Sequence, residues 1–241
     1  MNNKILIVIP SRYNSTRFIG KPLKKIGNKT LIERVWDKAK QIKSYKTVVA
    51  TDDKRIAIEC KKKHIKYVMT SKKHKTGSDR VSEVAKKFNI SWILNIQGDE
   101  PLINVKDINT LIKKTFQHYK KDKTFVASTL YLKKKFKVYN PNECNLMINK
   151  KNEVLYFTRQ NLFINKDKEY LKHIGIYLYQ RNFLKNFSSL SSSLEDTEKL
   201  EQLRIIDNGY KMIAFKARSE TIGVDTAKDL IKVTRVINLQ K

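Results

Sequence analysis

A loop of basic and polar residues near the start of the chain could bind phosphate groups. This basic loop, residues 9–22, contains Arg12, Arg17 and Lys21 beside several hydroxyls and Gly20. Cationic side chains, and a glycine that lets backbone amides approach, suit the anionic oxygens of a triphosphate. It is not a Walker loop, because Gly20-Lys21 is followed by proline and not by a Ser or Thr that could hold magnesium. The alternative interpretation is a solvated basic loop without a ligand.

Two acidic segments could hold a metal ion beside this loop. An apolar run ends at residues 97–101 in an amide, a glycine and two carboxylates, of which Asp99 is the first. Magnesium commonly takes one or two protein carboxylates and completes its octahedron with water and phosphate oxygens, so one aspartate here is sufficient. Asp99 equally suits a turn. Asp225, within residues 223–226, is either a second metal ligand or a cap of the following helix.

The elements that would position these segments alternate between strands and helices in the first half of the chain. Strands are predicted at residues 4–9, 46–51, 66–69 and 91–97. Helices are predicted to start with caps at Thr30 and Ser78, at Asp52-Asp53 and near Val105. This alternation predicts an α/β fold with a Rossmann-like, mostly parallel sheet sandwiched by helices. Open sheets of this kind bind ligands at the carboxyl ends of their strands, where the basic loop and Asp99 lie.

The second half has a different pattern, in which strands follow one another without helices between them. These strands are predicted at residues 124–132, 145–148 and 172–179. We therefore expect a small antiparallel insert of roughly residues 124–190 within a single domain that covers residues 1–241. After a serine-rich loop, one helix is predicted over 194–208, a strand over 210–217 and a last helix from 226.

Composition limits the possible partners and the compartment. The chain has 51 Lys and Arg against 23 Asp and Glu, a net charge of +28 that alone would suggest a polyanion. The lysines are scattered over nearly every predicted helix, and their densest clusters lack interleaved aromatics, so we expect a solvated lysine surface and no nucleic acid partner. No apolar run is long enough to span a membrane. Two cysteines without a metal-ligand spacing are compatible with a reducing cytoplasm.

Taken in order, these and further segments resemble the 3-deoxy-D-manno-octulosonate cytidylyltransferases, also called CMP-Kdo synthetases, along nearly the whole chain. The matching segments are IPSRYNSTRFIGKPL from residue 9, ATDD from 50, MTSKKHKTGSDR from 69, NIQGDEPLI from 95, YFTR from 156, HIGIY from 173, LEQLR from 200 and GVDT from 223. The resemblance implies the fold of nucleotide-diphospho-sugar transferases. It also implies attack of the anomeric hydroxyl of Kdo on the α-phosphate of CTP, which gives CMP-Kdo and pyrophosphate for lipopolysaccharide synthesis.

The resemblance also implies roles for particular residues. The implied catalytic residues are Arg12, Arg17, Lys21, Asp99 and Asp225, the two aspartates as ligands of Mg²⁺. The implied nucleotide contacts are Arg12, Ser15, Arg17, Lys21, Arg80 and Gln97. The implied sugar contacts are Gln97, Arg159, His173, Tyr177, Glu201 and Gln202. Members of the family are homodimers that pair through the insert, so a homodimer is implied here.

The sequence departs from the family pattern at several positions. Ile19 stands where the loop usually has a proline, and Asn145 stands where a basic residue is common. Neither belongs to the implied metal pair, so we expect activity with an altered affinity or sugar preference. Two alternatives stay open: a CMP-transferase for a related acid such as 8-amino-Kdo, sialic or pseudaminic acid, and a non-catalytic relative that binds nucleic acid through its basic surface.

Overall fold

The structure, a computed structural model, describes residues 4–15, 17–42, 45–135, 140, 143–160 and 169–239. Its strands are β1 (Ile5–Pro10), β2 (Lys25–Ile26), β3 (Lys29–Thr30), β4 (Lys46–Thr51), β5 (Tyr67–Met69), β6 (Trp92–Ile96), β7 (Phe125–Lys135), β8 (Asn145–Ile148), β9 (Val154–Thr158), β10 (Glu169–Gln180) and β11 (Lys211–Lys216). Its helices are α1 (Leu31–Lys40), α2 (Lys54–Lys62), α3 (Gly77–Lys87), α4 (Val105–Tyr119), α5 (Arg181–Leu184), α6 (Ser193–Glu198), α7 (Leu203–Asp207) and α8 (Ala227–Leu239).

A mostly parallel sheet forms the centre of the fold, in the order β11-β7-β10-β6-β1-β4-β5. The strands β6, β1, β4 and β5 run parallel, β11 runs parallel to β7, and β10 runs antiparallel to both of its sheet neighbours. Side chains of β1 alternate between two buried apolar clusters: Ile5, Ile7 and Ile9 face one, and Leu6 and Val8 face the other. Helices cover both clusters, which confirms the predicted α/β sandwich.

The starts of several helices agree with the local sequence signals. Thr30 and Glu33 form a reciprocal capping box at α1, and Asp53 caps α2. The prediction that Ser78 caps α3 is wrong, because Thr76 accepts from the backbone of Asp79 and is the N-cap. The Ser78 hydroxyl instead donates a hydrogen bond to the carboxylate of Glu201.

The elements of the structure differ from the sequence prediction in three respects. The single helix expected over 194–208 is wrong, since Lys199 adopts a left-handed conformation with φ 57° and separates α6 from α7. The strand β9 and the short β2–β3 hairpin were not predicted. Within the expected insert of 124–190, β7 and β10 are long members of the central sheet, and only the β8–β9 pair lies off its main path. In the described part of the chain, no helix is both long and apolar enough to cross a membrane.

Candidate active site

The basic loop leaves the carboxyl end of β1 and folds back on Tyr13. The carbonyl of Tyr13 accepts hydrogen bonds from the amides of Ser15, at 3.0 Å, and Gly20, at 2.9 Å. Gly20 has φ 69°, and a Cβ there would lie 3.1 Å from the Tyr13 ring, so glycine is required on both counts. The loop therefore folds back on Tyr13, with Arg12 and Arg17 exposed and the side chain of Lys21 mostly buried.

A small cavity of about 150 Å³ lies between this loop and the ends of β1 and β6. Its lining includes all the residues predicted to contact the nucleotide, and the two aspartates: Arg12, Ser15, Arg17, Lys21, Arg80, Gln97, Asp99 and Asp225. These residues come from four separate segments of the chain. The fold thus brings together side chains that are up to 213 positions apart, from residue 12 to residue 225.

Lys21 lies between the two aspartates. Its Nζ is 2.8 Å from Oδ2 of Asp99 and 3.4 Å from Oδ1 of Asp225. Nη2 of Arg17 is 3.0 Å from the same Oδ1 of Asp225. The side chain of Lys21 is 11% exposed, and the two carboxylates are 31% and 32% exposed. Two partly exposed carboxylates therefore converge on the Lys21 ammonium group, and two cations of the basic loop offset their charge.

Asp225 is not the cap of α8. Thr226 takes that role, because its hydroxyl accepts from the amide of Asp229 at 3.3 Å, while the Asp229 carboxylate accepts from the amides of Asp225 and Thr226. The capping interpretation of Asp225 is therefore wrong, and its carboxylate is available for the site. On the other side, the amide of Val224 donates to the carbonyl of Asp99 at 2.8 Å, which joins the two acidic segments through the backbone.

The donor set of the aspartate pair fits magnesium better than a metal that needs many protein ligands. Among the described residues, no group of three or more His, Cys, Asp or Glu could hold a metal ion. The carboxylates of Asp99 and Asp225 are about one-third exposed and lie beside a cationic loop. Mg²⁺ keeps several waters and binds through one or two carboxylates plus substrate phosphates, so this pair has the right chemistry.

A larger cavity of about 990 Å³ shares Arg12, Arg17, Gln97, Asp99 and Asp225 with the smaller one. It brings together all the residues predicted to contact the sugar: Gln97, Arg159, His173, Tyr177, Glu201 and Gln202. Gln97 stands between two glycines, since a Cβ at Gly77 or Gly175 would lie 3.3 Å from its side chain. The two cavities therefore adjoin, with the aspartate pair and Gln97 at their junction.

His173 is a neutral, partly buried group in the wall of the larger cavity. Its ring stacks on Tyr177 at 5.3 Å and meets Phe157 edge-on at 5.2 Å. Burial, assisted by the positive charge of Arg159, lowers the pKa of His173 to about 3. Tyr177 is buried, which raises its pKa well above the ordinary value. Both groups thus offer hydrogen bonds without a charge at neutral pH.

Glu201 and Gln202 lie in the turn between α6 and α7. The Glu201 carboxylate accepts from the Ser78 hydroxyl at 2.6 Å and from the Ser78 amide at 3.3 Å, at the positive end of α3. The Gln202 amide donates to Glu201 at 3.1 Å. Arg204 is 7% exposed and pairs with Asp79 at 2.6 Å and with Glu195, which fixes this turn against α3.

Arg80 lines the smaller cavity, but its guanidinium already has protein partners. It is 2% exposed, donates to Asp52 at 2.9 Å and also binds the Thr70 hydroxyl. Arg80 therefore joins α3 to the segment after β4.

Asn145, where the family commonly has a basic residue, lies in β8. It is 9% exposed and is not among the described residues that line either cavity.

Glu100 is a site residue that sequence reasoning did not select. It lines the larger cavity, and its Oε2 has no hydrogen-bond partner among the described residues. Burial and the adjacent Asp99 raise the pKa of Glu100 to about 7. In the sequence, its position directly after Asp99 was the only sign that Glu100 belongs to the site, and a turn at this segment explained that position equally well.

The arrangement of a basic loop, an aspartate pair and an adjoining polar cavity in an α/β sandwich is that of a nucleotidyltransferase. A family model described as cytidylyltransferase matches residues 6–217, and the chain belongs to that family. Fusobacterium nucleatum has a 3-deoxy-manno-octulosonate cytidylyltransferase that is 41% identical, over 97% of both chains. The enzyme of that name from Escherichia coli is 37% identical over 96% of this chain and 95% of its own. These relatives place the chain among the 3-deoxy-manno-octulosonate cytidylyltransferases.

Solved structures agree with this assignment. The structure of CMP:2-keto-3-deoxy-manno-octonic acid synthetase complexed with CTP has a TM-score of 0.87 and 35% identity, and the match covers 99% of this chain and 100% of that one. A cytidylyltransferase from Leptospira borgpetersenii has a TM-score of 0.68 at 17% identity, over 98% of this chain and 87% of its own. At that identity the second match speaks only for the fold.

Proposed function

We propose that this protein transfers CMP from CTP to the anomeric hydroxyl of 3-deoxy-manno-octulosonate. The hydroxyl oxygen forms a bond to the α-phosphorus, the bond from that phosphorus to the β-phosphate bridging oxygen breaks, and pyrophosphate leaves. The observation that carries the proposal is the position of the Lys21–Asp99–Asp225 contact at the junction of the two cavities. A reacting phosphorus and an attacking hydroxyl must meet at one point, and this junction offers it.

The basic loop has the charge that this reaction requires. Arg12, Arg17 and Lys21 would hold the phosphates and offset the negative charge that develops on the departing pyrophosphate. Asp99 and Asp225 would hold Mg²⁺, which when bound polarises phosphate oxygens and favours the ionised form of the sugar hydroxyl. The hydroxyl proton would pass to solvent, since a dedicated base is not needed when a metal activates the nucleophile.

The larger cavity suits an acid with many hydroxyl groups. Gln97, Gln202 and the neutral His173 can donate or accept hydrogen bonds, and Glu201 accepts them. A fixed set of such groups orients the sugar so that only one hydroxyl faces the junction. A volume of about 990 Å³ leaves room for a sugar acid beside a nucleotide.

A substrate panel tests the proposal directly. Pyrophosphate release would be measured with CTP and Mg²⁺ against Kdo, 8-amino-Kdo, a sialic acid and pseudaminic acid. We expect Kdo to give the highest kcat/KM. Turnover with another of these acids but not with Kdo would refute the choice of sugar, and no turnover with any of them would refute the proposed reaction.

We also propose that the protein is a cytoplasmic homodimer that pairs near the β8–β9 strands. Met147 on β8 is 41% exposed and Leu155 on β9 is 52% exposed. Large apolar side chains on a strand pair off the central sheet are suited to an interface between copies. The two cysteines, Cys60 and Cys144, are free and buried, in keeping with a reducing compartment.

A further inference from the structure

Four charged side chains form a cluster on the sugar side of the site, outside the set that the sequence predicted. Lys134 on β7 and Lys172 on β10 both contact Glu220, at 2.8 Å and 3.1 Å. The same two lysines also contact Glu143, Lys172 at 3.1 Å and Lys134 at 3.7 Å. Two lysines are thus shared between two glutamates that belong to different parts of the chain.

Glu220 belongs to the segment that carries Asp225. This segment, residues 217–226, connects β11 to α8 and is called here the Asp225 loop. Its first part is held by the buried Asp107, whose carboxylate accepts from the amides of Arg218 at 2.9 Å and Ser219 at 3.0 Å. Its last part is held by the amide of Val224, which donates to the carbonyl of Asp99 at 2.8 Å.

The middle of the Asp225 loop is attached to the sheet through a side chain. Glu220 contacts lysines on two neighbouring strands. Where β7 pairs with β10, Lys134 lies opposite Tyr170 and Lys172 lies opposite Leu132. Lys172 directly precedes His173, whose side chain lies in the wall of the larger cavity. The Lys172–Glu220 ion pair therefore joins β10, which carries the predicted sugar contact His173, to the loop that carries the predicted metal ligand Asp225.

These ion pairs are too exposed to contribute much to the stability of the fold. The side chain of Glu220 is 46% exposed, and those of Lys134 and Lys172 are 26% and 18% exposed. Partial burial would raise the pKa of Glu220, but hydrogen bonds from Lys134 and Lys172 outweigh it and keep that pKa below its ordinary value. Pairs of this kind raise the free energy of unfolding by at most about 1 kcal/mol. We therefore expect their main effect to be on the position of the Asp225 loop.

We propose that Glu220 is a positioning residue, which holds the Asp225 loop against β7 and β10 through Lys134 and Lys172. It thereby sets the place of the Asp225 carboxylate relative to Asp99 and to the sugar cavity. The proposal rests on the function proposed above, because it gives Asp225 its role in the reaction. A displacement of about 1 Å in a reacting group can cost orders of magnitude in rate, so a weak ion pair can have a large kinetic effect.

The chain offers a matched control for this role. Glu220→Gln and Glu143→Gln each remove one negative charge from the same lysine pair, but only the first removes it from the Asp225 loop. For Glu220→Gln we expect kcat to fall by about 10-fold or more, with KM for CTP changed by less than about 2-fold, and the half-saturating Mg²⁺ concentration to rise. Glu143 also lines the larger cavity, so an effect of Glu143→Gln on sugar binding should appear in KM for the sugar acid. We expect its kcat and its Mg²⁺ requirement to change by less than about 2-fold.

Hydrogen–deuterium exchange without substrate or metal provides a second readout. We expect the amides of residues 218–226 to exchange faster in Glu220→Gln than in the wild type, and at the wild-type rate in Glu143→Gln. Equal kinetic effects in the two variants, or unchanged exchange in Glu220→Gln, would overturn the proposal. A wild-type chain inactive with CTP and Kdo would refute the proposed function instead, and the exchange comparison would still decide whether Glu220 holds the loop.

Discussion

The single ammonium group of Lys21 contacts both carboxylates of the candidate metal site, which ties the basic loop to the aspartates. Asp99→Asn and Asp225→Asn each remove one of these charges and keep the side-chain shape. We expect either change to lower kcat by about 10³-fold or more, because a metal ligand and its charge are lost at the reacting phosphate. Steady-state pyrophosphate release measures the effect, with circular dichroism to show that the fold is kept.

Asp37→Asn provides a control for these two variants. Asp37 pairs with Lys29 at 2.5 Å, and its side chain is 45% exposed. It is not among the described residues that line either cavity. Its amide variant should keep the wild-type kcat. Near-normal rates in Asp99→Asn and Asp225→Asn would remove the proposed metal roles.

The partly buried environment of His173 predicts a pH dependence of stability. Its pKa in the folded protein is about 3, below the ordinary value of 6.5, so the unfolded chain binds a proton first as the pH falls. The folded state should therefore lose stability from about pH 6.5 downward, by up to about 2 kcal/mol at pH 5. Urea unfolding at pH 7 and pH 5 measures this loss, which should be smaller in His173→Gln. The same pH dependence in both proteins would contradict the prediction.

At the scale of elements, local signals predicted the starts and lengths of several helices and strands. The helix α4 starts at Val105 as predicted, β8 (Asn145–Ile148) has the predicted bounds, and the capping box at Thr30 is present. Such elements follow from short-range propensity and capping. The break at Lys199 has no glycine to signal it, and Arg204 in the following helix pairs with Asp79, which lies 125 positions earlier in the chain and is not visible to local patterns. The central place of β10 likewise depends on pairing with distant strands.

The turn between α6 and α7 depends on the buried charges of Arg204. We expect Arg204→Met to lower the free energy of unfolding by about 3–5 kcal/mol, because the buried Asp79 carboxylate and the partly buried Glu195 carboxylate would lose their counter-charge. Urea unfolding measures the change. Lys87→Ala, which removes a pair with Glu83 from a side chain that is 45% exposed, should cost less than about 1 kcal/mol. Equal costs for the two variants would contradict this interpretation.

At the scale of the whole molecule, the net charge of +28 indicates little about function, and the positions of particular cationic residues indicate more. Arg12, Arg17 and Lys21 line the smaller cavity, whereas most of the excess positive charge lies outside the helices, on strands, turns and loops elsewhere in the chain. The sequence predicted the fold class and the membership of the site because strand-end motifs converge in a parallel sheet. It could not predict which side chains already have partners, such as Arg80 with Asp52, since those contacts join distant segments.

The exposed apolar side chains of β8 and β9 lead to a prediction about assembly. We expect the wild-type chain to sediment as a dimer and Leu155→Glu to sediment as a monomer, because a buried carboxylate would weaken an apolar interface. Ile231→Glu is the control, since Ile231 is 55% exposed on α8, away from these strands. Analytical ultracentrifugation at micromolar concentration measures the mass. A wild-type monomer, or dissociation by the control change alone, would contradict the predicted interface.

The backbone contact at Gly98 has a consequence for how such an enzyme can change its substrate. A Cβ at this position would lie 2.6 Å from the carbonyl oxygen of Pro10 and 2.7 Å from the hydroxyl of Ser11, so the ends of β1 and β6 touch through their main chains. Pro10, Ser11 and Gly98 do not line the larger cavity, so this contact involves none of its side chains. Selection or engineering can therefore alter the acceptor preference through residues that line only the larger cavity, such as His173 and Gln202, while the contact between the ends of β1 and β6 is kept.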